Sequence, residues 1–359
     1  MLTVLLLVLA TSVMLNAGIV LTRRWHIAVT GDAVVAGSYK KHREPVPRIG
    51  GLAIFLALTL GVVLAAPWLY PSINYVFWAM TACVALMFGI GFLEDLTGKV
   101  RPTIRYLVCI AAALVFSLAN ARLGISSVAI PWVDQALAYA PVSVLFFAFA
   151  VAGMTHASNL IDGQNGLCAG FSLLAFLALG LAAGASGQVA LAALCEIAIA
   201  ATLGFLLFNF PHGRIFLGDG GAYLNGAVVA ILAVLVVNGA SGISPWLAVA
   251  VLIYPVTETF YSMIRRRREG RPFYEPDDAH LHHLLRDLAV ARGWPLARVP
   301  ALMPLAMMAP FMLAAPFGAH STPVMLAYCA AFAVLYVAVY RAASASLSKA
   351  REEAVQMGE

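Results

Sequence analysis

Charge is what this chain has least of. Asp, Glu, Lys and Arg make up 11% of its 359 residues, against roughly 25% in soluble globular domains. With 62% hydrophobic residues and a mean hydropathy of +0.90, an ordinary water-soluble domain is excluded. Cysteine is the next shortage. The five cysteines, Cys83, Cys109, Cys168, Cys195 and Cys329, form no C-x-x-C pair and lie in or at the start of apolar runs. That supports neither a disulfide framework nor a zinc site, and small apolar packing residues is the better reading. The alternating apolar and polar residues of a membrane β-barrel are missing too. The largest segment outside the apolar runs is 265–298, too short to bury a core, so a separate soluble domain is excluded. The basic residues behind the net charge of +5 are not interleaved with aromatics on a soluble surface, and nucleic acid is not an expected partner.

What is there is a series of long apolar runs. A spanning helix needs about 20 mostly apolar residues. Eleven stretches qualify, near 2–22, 49–69, 74–93, 104–120, 141–158, 166–184, 189–208, 222–238, 246–264, 299–317 and 323–342. The expected fold class is all-α: a polytopic membrane protein of about eleven transmembrane helices, a single domain over 1–359. The first run lacks a basic leading segment and is followed at once by "LTRRWH", so it reads as a spanning helix and not as a cleaved signal. Lys and Arg accumulate in cytoplasmic loops. With the N-terminus periplasmic and the C-terminus cytoplasmic, only Arg122 of the 22 basic residues lies outside.

Under that topology the polar residues gather at the cytoplasmic face. They form "SYKKHREPVPRIGG" (38–51), "FLEDLTGKVRPTIR" (92–105), "SNLIDGQNG" (158–166), "FNFPHGRIFLGDGG" (208–221) and "RRRREGRPFYEPDDAHLHHLLRD" (265–287). On the other face Asp134 is the only acid. Transporters distribute charge through the membrane and along broken helices. A polar cap on one face suits chemistry on a water-soluble substrate instead.

Within the cap, three acids stand at helix ends. Asp95 follows Glu94 at the foot of the third run, Asp162 sits in a tight turn, and Asp219 lies between Gly218 and Gly220-Gly221. Glycine permits tight turns and close backbone approach to a ligand, and the helix beginning at Asp219 favours an anion at its amides. Each acid alone reads as a cap or a solvated charge, and for Glu94 that reading is preferred. Together, Asp95, Asp162 and Asp219 suggest a hard cation such as Mg²⁺, held by one or two carboxylates plus substrate phosphates. "PDDAHLHHLL" adds His280, His282 and His283, better suited to donate hydrogen bonds to a polyphosphate than to hold a metal, which needs further ligands at suitable spacing. The run Arg265 to Arg268 fixes topology or meets anionic lipid.

These five segments, in this order, resemble those of the polyprenyl-phosphate N-acetylhexosamine-1-phosphate transferases, a family of polytopic enzymes (glycosyltransferase family 4). "KKHREPVPRIGG" resembles its basic loop with a Pro-x-x-Gly-Gly turn, and "EDLTGKVRP" its acidic pair. "NLIDGQNGL" resembles its Asn-x-x-Asp-Gly turn, "IFLGDGG" its Phe-x-Gly-Asp motif, and "PDDAHLHHLL" the His-x-His-His form of its last loop. That last form is similar to the bacterial branch acting on undecaprenyl phosphate with GlcNAc or a related sugar, as in O-antigen or other surface-polysaccharide synthesis. Glu94 departs from the commoner Asp-Asp pair, and Asn165 stands where relatives often have Asp.

The resemblance implies that the chain transfers an N-acetylhexosamine-1-phosphate from a UDP-N-acetylhexosamine to undecaprenyl phosphate and releases UMP. The enzyme would work at the bacterial inner membrane with its active site toward the cytoplasm. It implies Mg²⁺ (with Mn²⁺ as an alternative) on Asp219 and Asp162, and Asp95 as the group that deprotonates or orients the lipid phosphate. It implies substrate contacts from Asn209 and Phe216 to the nucleoside, with Phe216 stacked on uracil, and from His280, His282 and His283 to the diphosphate or sugar. Lys40, Lys41, His42 and Arg48 become candidates for phosphate contacts and Asn159 for a substrate contact. Arg271, Phe273 and Tyr274 become candidates for reading the sugar. The bilayer is a partner, and a homodimer is left open. The alternatives are a transporter or lipid flippase, supported only by Glu196 and Glu258 inside apolar runs, and a catalytically inactive relative.

Overall fold

The computed structural model describes residues 1–31, 45–69, 74–120, 123–272, 277 and 279–357. Among the described residues the regular structure is helical, apart from one antiparallel bridge between Gly31 and Pro47. The helices are α1 (Leu2–Leu21), α2 (Arg23–Thr30), α3 (Gly50–Leu69), α4 (Asn74–Thr97), α5 (Pro102–Ala119), α6 (Pro131–Leu137), α7 (Ala140–Leu160), α8 (Leu167–Ala185), α9 (Val189–Asn209), α10 (Gly218–Asn238), α11 (Trp246–Val251), α12 (Ile253–Arg268), α13 (Leu281–Ala291), α14 (Leu302–Gly318) and α15 (Thr322–Met357). A 3₁₀ turn, Pro295–Arg298, joins α13 to α14.

Nine of these are long and apolar enough to cross a membrane: α1, α3, α4, α5, α7, α8, α9, α10 and α15. They coincide with nine of the eleven runs expected from the sequence. The run at 299–317 becomes α14, an apolar helix of 17 residues. The run at 246–264 is not one helix. It breaks at Leu252 into α11 and α12. Pro255 explains the break: it has no N–H for the Val251 carbonyl, and its ring clashes with that carbonyl, so the helix restarts just before it.

Helix α10 is the axis of the bundle, with 89% of its apolar window buried. A helix that is apolar all round belongs in a core, and α3, α4, α7, α8, α9 and α11 pack around this one. Lipid is as apolar as Leu, so membrane helices associate through close packing and small residues rather than by escape from water. The start of α10 shows this. A Cβ on Gly51 of α3 would collide with the backbone of Gly221, and one on Gly91 of α4 would stand 2.8 Å from the carbonyl of Asp219. Segment 45–51 is laced to the same region, because Phe216 N–H donates to Pro47 O (2.8 Å) and Gly50 N–H to Phe216 O (2.9 Å). Helices α3, α5, α8 and α10 therefore begin at the face where α4, α7, α9 and α12 end, and the polar segments meet there.

Candidate active site

Helix α10 starts with its donors unmet. The first amides of a helix have no intrahelical acceptor, and Leu217 at the N-cap has no side chain that could serve. Asp95, at the end of α4, supplies the acceptor. Its carboxylate receives N–H from Asp219 and from Gly220, each at 2.9 Å. Arg48 completes the arrangement, with Nε at 3.0 Å and Nη2 at 2.9 Å from Asp95 Oδ1. Gly218 has φ +76°, and a Cβ there would run into the Arg48 carbonyl and Asp95, so two separate constraints require glycine at this position.

The Asp219 carboxylate points away from that cap and is about one-fifth exposed, at 21%. Asn159, in the last turn of α7, donates Nδ2 to it at 2.9 Å, and Arg105, in the first turn of α5, pairs with it. One turn deeper lies a second layer. Arg105 sits over the Tyr223 ring at 6.0 Å. His156 donates Nδ1–H to the Ala152 carbonyl (3.0 Å), so its Nε2 accepts from Tyr223 O–H (3.1 Å). Asn159 thus holds Asp219, and Arg105 is a site residue that the sequence reading passed over.

Asp162 occupies the turn between α7 and α8, and its carboxyl accepts no hydrogen bond from the described residues. Its proton affinity is raised well above the usual carboxylate range, chiefly by burial and then by the neighbouring negative charges of Asp219 and Asp95. Three expected acids are therefore brought together. Among the described residues no group of three or more His, Cys, Asp or Glu side chains is arranged to hold a metal ion. The donors still suit a hard cation. An unpartnered carboxyl is set against like charge, and hard oxygen ligands from one or two carboxylates are what Mg²⁺ takes when substrate phosphates complete its shell.

The histidine loop abuts the same turn. A Cβ on Gly163 would come to 2.7 Å from His282 Nε2 and 2.8 Å from His283 Cε1, and Gln164 donates to the His282 carbonyl. His282 is buried, with Tyr254 O–H 3.4 Å from its Nδ1. Burial first, then His283, His280 and Arg286, hold it well below the usual histidine range, so it is a neutral ring. His280 faces the other way, toward Glu258 of α12. That buried carboxylate takes His280 Nδ1–H at 2.9 Å, Leu281 N–H at 3.2 Å, Ser262 O–H at 3.2 Å and Tyr336 O–H at 2.8 Å. Arg265 and Arg266 pair with Asp277, which also accepts Ala279 N–H at 2.8 Å. Burial acts to raise the Asp277 carboxyl, but the bonds from Arg265, Ala279 and Arg266 outweigh it and hold it low. Part of the arginine run therefore anchors this loop.

The remaining expected residues divide. The Asn209 amide is engaged by backbone, accepting Gly166 N–H (2.6 Å) and donating to the Ile215 carbonyl (2.8 Å). Phe216 is half-buried beside the Arg48 segment. Asn165 donates to the Pro211 carbonyl at 3.3 Å, and Glu94 caps its own turn by accepting Val100 N–H at 2.6 Å. Arg271 lies 3.5 Å from Glu269. Lys40, Lys41, His42, Phe273 and Tyr274 lie outside the described residues. Of the two acids behind a transport reading, Glu258 is locked in the network above, and Glu196 lies exposed on the flank of α9.

Comparison with known proteins places the chain in a family. The profile described as Glycosyl transferase family 4 matches residues 77–237, which run from α4 to the end of α10. A Bacillus subtilis protein named a probable undecaprenyl-phosphate N-acetylglucosaminyl 1-phosphate transferase is 31% identical over 266 residues, covering 72% of this chain and 71% of its own length. The Escherichia coli K12 undecaprenyl-phosphate alpha-N-acetylglucosaminyl 1-phosphate transferase is 28% identical, over 68% of this chain and 66% of its own length. A Mycobacterium tuberculosis decaprenyl-phosphate N-acetylglucosaminephosphotransferase is 30% identical, with the same coverage.

Proposed function

The chain belongs to glycosyl transferase family 4, and from that premise we propose that it moves N-acetylhexosamine-1-phosphate, with GlcNAc the first candidate sugar, from its UDP derivative to undecaprenyl phosphate. The observation that carries this reading is the meeting of Asp219, Asp162, Arg105 and the histidine loop at one end of a membrane bundle. The acceptor phosphate is confined to the interface, and the nucleotide sugar is soluble, so only a site at a bundle end can join them. An acceptor oxygen attacks the β-phosphorus of the donor. The new P–O bond forms as the bond to the bridging oxygen breaks, and UMP leaves with the electron pair.

A phosphate monoester has a second pKa near 6, so the acceptor is already a dianion at neutral pH and needs little help losing a proton. Phosphoryl transfer then depends on positioning and on stabilising negative charge. Asn159 holds Asp219, and Arg105 brings a delocalised positive charge suited to phosphate oxygens. The neutral His282 and its neighbour His283 offer ring nitrogens at the Asp162–Gly163 turn for the diphosphate or sugar. Phe216 provides an aromatic face for uracil. Mg²⁺, bound by Asp219 and Asp162, would neutralise charge on the diphosphate. The site faces the cytoplasm in this reading, supported by the Lys and Arg residues that collect on its side of the bundle.

Purified protein in detergent, supplied with undecaprenyl phosphate, Mg²⁺ and a panel of UDP-sugars, is expected to release UMP with one or a few donors. Asp219→Asn should lower that rate by about 10²–10³. UMP release that ignores the lipid phosphate, or survives the substitution unchanged, would overturn the assignment.

A further inference from the structure

We infer that Asp95 is a positioning residue for the transfer reaction and not its general base. The inference rests on the transferase reading and concerns how the site is held. A base needs a free lone pair within reach of the proton it removes. The Asp95 side chain is 1% exposed, and its oxygens already receive Asp219 N–H, Gly220 N–H, Arg48 Nε–H and Arg48 Nη2–H. Three of these donors converge on Oδ1 and Gly220 N–H takes Oδ2, whose other side lies beside Gly218, so in a side chain this buried neither oxygen is open to a substrate.

What Asp95 does instead follows from where those donors sit. Asp219 and Gly220 are in the first turn of α10, whose N-cap residue, Leu217, has no acceptor. Asp95 reaches across from α4 and caps that turn in Leu217's place. The cap fixes the backbone of Asp219, and the fixed backbone aims the Asp219 carboxylate at Asn159 and Arg105. Gly218 leaves room for the approach, since a Cβ on it would stand 2.5 Å from Asp95 Oδ2. Asp95 therefore acts through Asp219. The acceptor dianion makes a base unnecessary, which agrees with an acid whose oxygens are buried against backbone and Arg48.

The test compares wild type, Asp95→Asn and Asp95→Ala as full-length protein in detergent. Two quantities are read: UMP release with UDP-GlcNAc and undecaprenyl phosphate, and hydrogen exchange in peptides over the start of α10. Asn keeps an acceptor for one of the two amides and leaves the other unmet, so its turnover should fall by roughly tenfold, the penalty of one unsatisfied buried donor, and less than that of Ala. Ala should lose about 10²-fold, the size of effect that a small misplacement of a catalytic group produces, with faster exchange at the start of α10. Equal losses in Asn and Ala, or a loss in Ala with unchanged exchange, overturn the inference, because a missing base costs 10²–10⁴ in both. Where the Asp95 variants fail to fold, Arg48→Gln serves, since both amide bonds remain. Positioning expects hydrogen exchange at the start of α10 to stay at the wild-type rate in this variant, and faster exchange there overturns it. Wild-type protein that releases no UMP removes the transferase reading, while exchange in the variants still decides whether Asp95 is the cap.

Discussion

His282 lies wholly buried between His280 and His283, so protonating it would set a positive charge against both burial and two neighbouring imidazoles. Its folded value is therefore below the unfolded one of about 6.5. Below that pH the unfolded chain takes up a proton that the native state refuses, so the stability from this group is full above about pH 6.5 and declines as pH falls. The melting temperature in detergent should drop more steeply from neutral toward pH 5.5 in wild type than in His282→Asn; parallel slopes would refute this. The histidines were legible because such a cluster is conspicuous in a chain with so few polar residues. Asp219 was legible for the same reason, but the purpose of its glycines was not. The sequence suggested that they admit a ligand, whereas Gly218 fits against Arg48 and Asp95, and Gly221 against Gly51. Arg105 escaped notice because its partner is 114 residues away. Only its position in the first turn of a helix at the polar face pointed to it.

Helix α12 carries the histidine loop on one side and packs against α15 on the other, and Glu258 joins the three elements through donors from His280, Leu281, Ser262 and Tyr336. Glu258→Gln preserves the volume but turns one accepting oxygen into a donor, leaving a buried N–H or O–H unmet at a cost of about 1–3 kcal/mol. The variant should melt several degrees lower and bind UDP-GlcNAc more weakly than wild type. Unaltered melting and affinity would show that the network does not hold the loop. Most helices could be read from the run lengths, since hydropathy alone sets where a chain enters and leaves lipid. The break at Leu252 also had a visible sign in Pro255, but a window averaged over the apolar run hides one proline. What the run lengths could not show is which helix becomes the axis, because nothing in the composition of α10 separates it from its neighbours except the glycines at its start.

At the scale of the whole molecule, Ser127 near α6 and the last turns of α15 lie at opposite ends of the bundle, since the start of α15 bonds Ser244 and Trp246 bonds Val128 on the Ser127 side. With the N-terminus outside, Ser127→Cys should react with an impermeant thiol reagent added to intact cells, and Ser348→Cys should react only after lysis. The reverse pattern would turn the site away from the cytosolic nucleotide sugar. Helix α15, at 36 residues, spans about 54 Å against a hydrocarbon layer of about 30 Å, so its last turns project from the bilayer, and α13 packs on the helix. The wiring of the site also has a consequence in time. Asp95 lies 124 and 125 residues before the amides it caps, but only 47 after Arg48. At a synthesis rate of about 5–20 residues per second, α10 emerges roughly 6–25 s after α4. Arg48 has already been made when Asp95 arrives. The guanidinium is thus the first of the carboxylate's partners to be made, and the helix that needs the carboxylate as a cap is made last.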